Sequence, residues 1–299
     1  MILNDEPART IGILKKYDLM PRKKFGQNFL IDAHVIEKII DAAGVTEDDC
    51  VLEIGPGIGT MTRHLCERAR KVIAIEIDRD LVKILKEDIL KDYTNLTIIN
   101  EDVLKVDIEE LVRTENGGRP VKVVANLPYY ITTPIIMGLF EKHVPMESMT
   151  LMVQKEVASR MCAQPGTKDY GALTVAVSYY SECYLAANVP KNCFMPRPDV
   201  MSAVVRLTVR PEPPVSTGDP NHMFAIVKAA FGQRRKTLQN ALTNAQGLSC
   251  TKEEVAGALE SLGLSPLARG EVLSLEQFAR ISELLAVLSK KKTIRNKET

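Results

Sequence analysis

The residues best suited to chemistry in this chain are Asn126-Leu127-Pro128-Tyr129. An Asn side-chain oxygen and a backbone carbonyl each accept one hydrogen. Together they can grip a flat, neutral amine such as the exocyclic nitrogen of adenine. Tyr129 offers a ring to stack on the base, and Pro128 fixes the turn between amide and ring. The plainer reading is a strand-to-helix turn, since Asn and Pro are common turn formers. The quartet follows Val121-Lys122-Val123-Val124-Ala125, an apolar run that reads as a buried parallel strand. The carboxyl ends of such strands are where open α/β sheets hold ligands.

A second group has the composition of a cofactor loop. Glu53-Ile54-Gly55-Pro56-Gly57-Ile58-Gly59-Thr60 follows one predicted strand and opens a helix. Glycines such as Gly55 and Gly57 let the backbone turn tightly and approach a ligand closely. A dinucleotide loop reads G-x-G-x-x-G, but here the third glycine falls at 59 and Thr stands at 60. No Lys-Ser/Thr pair follows either, so a nucleoside triphosphate loop is also excluded. Glu76 ends the next predicted strand, 19 residues after Gly57, where an acid can accept both ribose hydroxyls of an adenosine-bearing cofactor. Asp102, after the third strand, can accept from that cofactor's adenine amine. Acids at strand ends are otherwise simply solvated, and Asp78 has a competing role as a helix N-cap.

Strands are predicted at 50–54, 72–76, 96–100, 121–125 and 149–153, with helices at 60–69 and 80–90 between them and another ending at Gly44. Segments 174–180 and 203–209, rich in Val and Thr, read as a late strand pair. This alternation predicts an α/β fold, a doubly wound Rossmann-like sheet over 1–210. Pro211-Glu212-Pro213-Pro214 marks a linker. Beyond it, helices at 223–231, 234–242, 253–262 and 275–288 predict a smaller all-helical C-terminal domain, 211–299, and Lys290-Lys291-Lys292 opens a basic tail expected to be disordered.

The 299 residues are 45% hydrophobic, enough for a sizeable core. The net charge of +1 conceals an uneven distribution: residues 191–299 carry 16 Lys and Arg against 10 Asp and Glu, leaving −5 on the rest. A basic module beside an acidic one points to a polyanionic partner. The six cysteines form no C-x-x-C pair and do not cluster with the four histidines, so no metal site is expected. No apolar run approaches 18 residues and the amino terminus is polar, which predicts a cytoplasmic protein with no membrane partner.

The glycine loop, the acid after the second strand and Asp102 resemble the class I S-adenosylmethionine methyltransferases. Four further motifs stand in order: Phe25-Gly26-Gln27-Asn28-Phe29-Leu30, the Asn126 quartet, Phe194-Met195-Pro196-Arg197-Pro198-Asp199-Val200-Met201-Ser202, and Phe231-Gly232-Gln233-Arg234-Arg235-Lys236. This set is similar to the small-subunit ribosomal RNA adenine dimethyltransferases, from about Lys24 to Leu242. Met61, where the family usually has Leu, is a volume-conserving departure. The resemblance implies S-adenosyl-L-methionine as cofactor, leaving S-adenosylhomocysteine. It implies that Asn28 and Leu30 line the cofactor pocket, and that Phe194 lies over the target base opposite Tyr129. It also implies a substrate of two neighbouring adenines near the 3′ end of small-subunit rRNA, each methylated twice within an immature 30S particle, by a protein that needs to be no more than a monomer. Arg22, Lys23, Lys24, Arg197, Arg234, Arg235 and Lys236 are then expected at the RNA. Two alternatives remain open at this point: a large-subunit adenine methyltransferase of the antibiotic-resistance type, and a non-catalytic RNA-binding assembly factor.

Overall fold

The computed structural model describes residues 6–22 and 25–295; Lys23 and Lys24 lie outside the described residues. The chain runs α1 (Glu6–Lys16), β1 (Phe29–Leu30), α2 (Ala33–Ala43), β2 (Cys50–Ile54), α3 (Thr60–Cys66), β3 (Lys71–Glu76), α4 (Arg79–Ile84), β4 (Leu96–Asn100), α5 (Ile108–Asn116), β5 (Val121–Asn126), α6 (Thr132–Glu141) and β6 (Met146–Gln154). It continues through α7 (Lys155–Met161), α8 (Ala172–Tyr180), β7 (Ser181–Val189), β8 (Phe194–Met195), β9 (Ser202–Val209), α9 (Pro220–Gly232), α10 (Leu238–Thr243), α11 (Lys252–Ser261) and α12 (Leu275–Arg295).

Seven strands form one sheet in the order β4-β3-β2-β5-β6-β9-β7. The first five are parallel and β9 runs antiparallel to β6. Strands β2, β3 and β5 are nearly continuous apolar runs because helices cover both faces of a parallel sheet. The chain moves outward from β2 through β3 to β4, then returns to lay β5 on the other side of β2. That reversal opens a crevice beyond the carboxyl ends of β2 and β5. Helix α2 packs one face with Ile36 and Ile39, both fully buried, and truncating either to Ala costs about 2–5 kcal/mol. Asp32 caps its start by accepting from the Val35 N–H at 3.1 Å, and Gly44, at φ 58°, ends it in the left-handed region.

The chain divides into two compact units, Met1–Ala158 with Glu182–Val209, and Ser159–Ser181 with Arg210–Thr299. The second unit is helical among the described residues, and it takes in the stretch 159–181 that the sequence expectation left with 1–210. Its core gathers Tyr170, Val175, Tyr179, Met223, Ile226, Leu242, Val255, Leu259 and Phe278.

Three expectations are corrected. Segment 174–180 is not a strand but most of helix α8, in which Leu173, Val175, Ala176, Val177 and Tyr179 are all buried. A helix buried all round shows no 3.6-residue alternation, so its β-branched run reads as a strand. The partner of β9 is instead β7, which starts where that helix ends. Arg234, Arg235 and Lys236 lie in a turn closed by Lys236 N–H donating to Gln233 O at 2.8 Å, and helix α10 starts only at Leu238, capped by Thr237. The backbone of α12 runs helical to Arg295, through the Lys290 segment expected to be disordered. Helix α1 carries no expectation from the sequence; it is tied down by an ion pair between buried Glu6 and Arg63.

Candidate active site

The register of β2 against β5 sets Ile54 beside Ala125. The glycine loop after β2 and the Asn126 quartet after β5 must therefore meet. They enclose a cleft of about 1110 Å³, counting the space open at its mouth. Its wall includes Asn28, Leu30, Glu53, Gly55, Gly57, Glu76, Asp102, Asn126, Leu127, Pro128 and Tyr129. Of the site residues expected on sequence grounds, every one assigned to amine or cofactor binding is there except Phe194. Phe194 is paired through β8 with Leu30 on β1 and buried in the core beside Val35 and Val204. The aromatic side chains that line the cleft are Phe25, Phe29, Tyr129 and Tyr130.

Asn126 Nδ2 donates to the backbone carbonyl of Asn28 at 3.1 Å. That bond commits the amide nitrogen and leaves Oδ1 as an acceptor. The Leu127 N–H donates to Met152 O at 3.1 Å, which fixes the next peptide at the strand end. Pro128 O accepts from the Ile131 N–H at 3.1 Å, closing a turn that carries Tyr129 and Tyr130 at its two centre positions. The Tyr129 hydroxyl shares a 2.7 Å hydrogen bond with Ser202 Oγ on β9, which holds the ring in place. Burial pushes the Tyr129 phenol above its ordinary range, so it stays neutral.

On the cofactor side, Glu76 is almost fully buried. Its Oε2 accepts from Gly57 N–H at 3.0 Å and its Oε1 from Asp78 N–H at 2.9 Å, so it shapes the loop it faces. Burial raises its carboxyl, and these two N–H donors offset part of that. Asp102 is half-buried and its Oδ1 accepts from Leu104 N–H at 3.1 Å. Asp78 is the N-cap of α4, and it also takes Arg22 Nη1 at 2.8 Å and Gln27 Nε2 at 3.0 Å. Gly55, at φ 72°, has open space where a Cβ would point, so its bare backbone faces the cleft.

Sequence reasoning gave Glu53 no place in the site. It is fully buried in the cleft wall with Thr62 as its neutral neighbour, and burial pushes its carboxyl up to about 8. The signal was present: one acid in the otherwise apolar strand Cys-Val-Leu-Glu-Ile. Ser202 was missed as the Tyr129 anchor, and nothing local announces a pair 73 residues apart. Of the expected RNA cations, all five that are described are exposed; Arg22 is engaged by Asp78 and Asp80, and Arg234 donates to the carbonyls of Lys168 and Tyr170 at 2.9 and 3.4 Å. No group of three metal-binding side chains occurs among the described residues.

The family model described as ribosomal RNA adenine dimethylase matches residues 19–287. A ribosomal RNA small subunit methyltransferase A from Lachnoclostridium phytofermentans is 59% identical over 280 residues, 94% of this chain and 97% of that protein. The protein of the same name from Alkaliphilus metalliredigens is 51% identical over the same shares. Among solved structures, a dimethyladenosine transferase from Plasmodium falciparum superposes with a TM-score of 0.71 at 27% identity, covering 88% of this chain and 98% of that one. The 23S rRNA methyltransferase ErmE gives 0.65 at 31% identity, covering 87% and 100%. With motif order, cleft and full-length similarity in agreement, the chain belongs to the ribosomal RNA adenine dimethylase family.

Proposed function

We propose that this enzyme transfers methyl groups from S-adenosyl-L-methionine to the exocyclic amines of two neighbouring adenines near the 3′ end of small-subunit rRNA, each amine twice. Family membership makes it an rRNA adenine dimethyltransferase, and full-length identity of up to 59% to small-subunit enzymes favours 16S rRNA over the large-subunit target named for ErmE at 31%. A non-catalytic assembly factor is not favoured, because the whole amine-gripping and loop constellation is retained around one cleft.

The observation that carries the reading is the commitment of Asn126 Nδ2 to Asn28 O, which leaves the amide oxygen as an acceptor in a cleft wall that also includes Leu127. Two acceptors holding the two amine hydrogens favour a pyramidal nitrogen with its lone pair exposed. Adenine's amine is otherwise a poor nucleophile, because that lone pair is delocalised into the ring. Catalysis is then mostly positioning and fixed dipoles. Tyr129 stacks on the base. Asn126 is neutral, and no general base is needed before transfer, since the cationic product loses its proton to water.

The cleft suits the cofactor. An ammonium entering beside the buried Glu53 carboxyl would favour its ionised form and pair with it, the bare Gly55 backbone permits close approach, and Glu76 and Asp102 offer acceptors for ribose hydroxyls and an adenine amine. When bound, S-adenosyl-L-methionine supplies a methyl group already activated by a sulfonium. Asn28 and Leu30 complete the wall, and Arg197, Arg235 and Lys236 hold RNA phosphates. The target base leaves its stack to enter, which is cheapest in a single-stranded loop. The natural substrate in this reading is rRNA in an immature 30S particle, met by a monomer in the cytoplasm. No described helix is long and apolar enough to cross a membrane. Labelled cofactor supplied with immature small subunits, followed by nucleoside digestion, should give labelled dimethyladenosine. Label confined to large-subunit RNA, or absent, would overturn the assignment.

A further inference from the structure

Tyr129 and Tyr130 occupy the two centre positions of one turn, so their rings diverge. Tyr129 points inward and is anchored to Ser202, while Tyr130 is 62% exposed. Four aromatic side chains line the cleft, Phe25, Phe29, Tyr129 and Tyr130, and only Tyr130 is exposed. One edge of its ring is backed by backbone: a Cβ built on Gly26 would lie 3.3 Å from Tyr130 Cε1 and 3.4 Å from Cδ1. Gly26 holds φ 60°, a conformation side chains rarely adopt, so the ring rests on a flat glycine with its remaining surface in water. A large ring left this exposed at the mouth of a ligand cleft gains little from folding, and most of its apolar area is available to a ligand.

We propose that Tyr130 is a second stacking platform, which holds a nucleotide flanking the target adenine against the cleft mouth while the target itself lies on Tyr129. This rests on the RNA adenine reading above. A flat, sequence-tolerant contact of this kind keeps the strand from sliding and presents the next base at the entrance. It is a residue for RNA placement, distinct from the acceptors that hold the reacting amine.

Base–aromatic stacking corresponds to a roughly 5- to 150-fold effect on affinity. Tyr130→Ala and Tyr130→Leu should raise KM and Kd for small-subunit RNA within that range, with cofactor Kd unchanged as the control that the variants are folded. Tyr130→Phe and Tyr130→Trp should bind RNA as the wild type does. RNA carrying 2-aminopurine at each nucleotide flanking the target should show quenching at one of them with wild type and lose it with Tyr130→Leu, while 2-aminopurine at the target should respond with both. Unchanged RNA affinity in Tyr130→Leu, equal loss in Tyr130→Phe, or no flanking signal that depends on residue 130 would each overturn the proposal. Failure of the underlying reading shows separately, as a wild type that leaves the target probe unperturbed.

Discussion

At the scale of single residues, the site depends on which atoms are already spoken for. Asn126 uses its nitrogen to hold Asn28 O, so its oxygen is left as an acceptor. Asn126→Ala should lower methyl transfer by at least a hundredfold, the loss seen when one aimed dipole is removed, while cofactor affinity shifts only a few-fold. Steady-state rates with isothermal titration check both; retained turnover would refute the acceptor role. The same geometry makes the second transfer slower than the first, because a monomethylated amine leaves one acceptor without a hydrogen at a cost on the order of 1 kcal/mol. Single-turnover rates on unmethylated and monomethylated RNA decide this, and equal rates would remove the account. Glu53 makes a prediction about pH. Its carboxyl is raised to about 8, so between the ordinary carboxylate range and that value the folded chain keeps a proton the unfolded chain has lost. The contribution to stability therefore declines as pH rises through that window. Glu53→Gln should flatten the decline, raising Tm at pH 8 by a few degrees, and should weaken cofactor binding tenfold or more. Calorimetry at pH 5 and pH 8 reads the first effect; an unaltered pH slope would count against the buried charge.

At the scale of elements, the glycine loop is held by two different demands. Gly55 faces open cleft, whereas a Cβ on Gly59, at φ 78°, would sit 2.8 Å from Leu85 Cδ2 and 3.1 Å from Leu90 Cδ1. Gly59→Ala should therefore lower folding stability by about 1–3 kcal/mol, through left-handed strain and a clash with the segment after α4, measurable by urea unfolding. A stability equal to wild type would show that the loop relaxes at no cost. The same segment shows how far local pattern carries. The helix expected over 80–90 exists, but it is α4 followed by a wide π-helical turn at Leu85–Ile89. Periodicity reports a helix and not its winding. Strands β2 and β4 match their predicted bounds, because short apolar runs between turn residues leave little choice. Helix α8 was misread, because burial on all sides erases the pattern that identifies a helix.

At the scale of the whole molecule, the charge asymmetry of +6 over residues 191–299 against −5 before them places Arg197, Arg235 and Lys236 in the basic part of the chain. All five expected cations that are described stand exposed; Arg22 and Arg234 are engaged by acids and carbonyls. Arg235→Ala with Lys236→Ala should weaken RNA binding and reduce the slope of log affinity against log salt by roughly 1.5, with cofactor affinity unchanged. Filter binding from low to high salt tests this, and an unchanged slope would mark the pair as a solvated turn. What the sequence determined by itself was the alternation of strands and helices, the glycine loop, and the residue types that can clasp an amine, since each is written in a few consecutive positions. Only the tertiary structure decided that Asn126 spends its nitrogen on Asn28, that Ser202 anchors Tyr129, that Phe194 is buried in the core, and that Glu53 is buried in the cleft wall. Those facts depend on which distant segments share a neighbourhood, and neighbourhood is set by strand order and register, which no local pattern encodes.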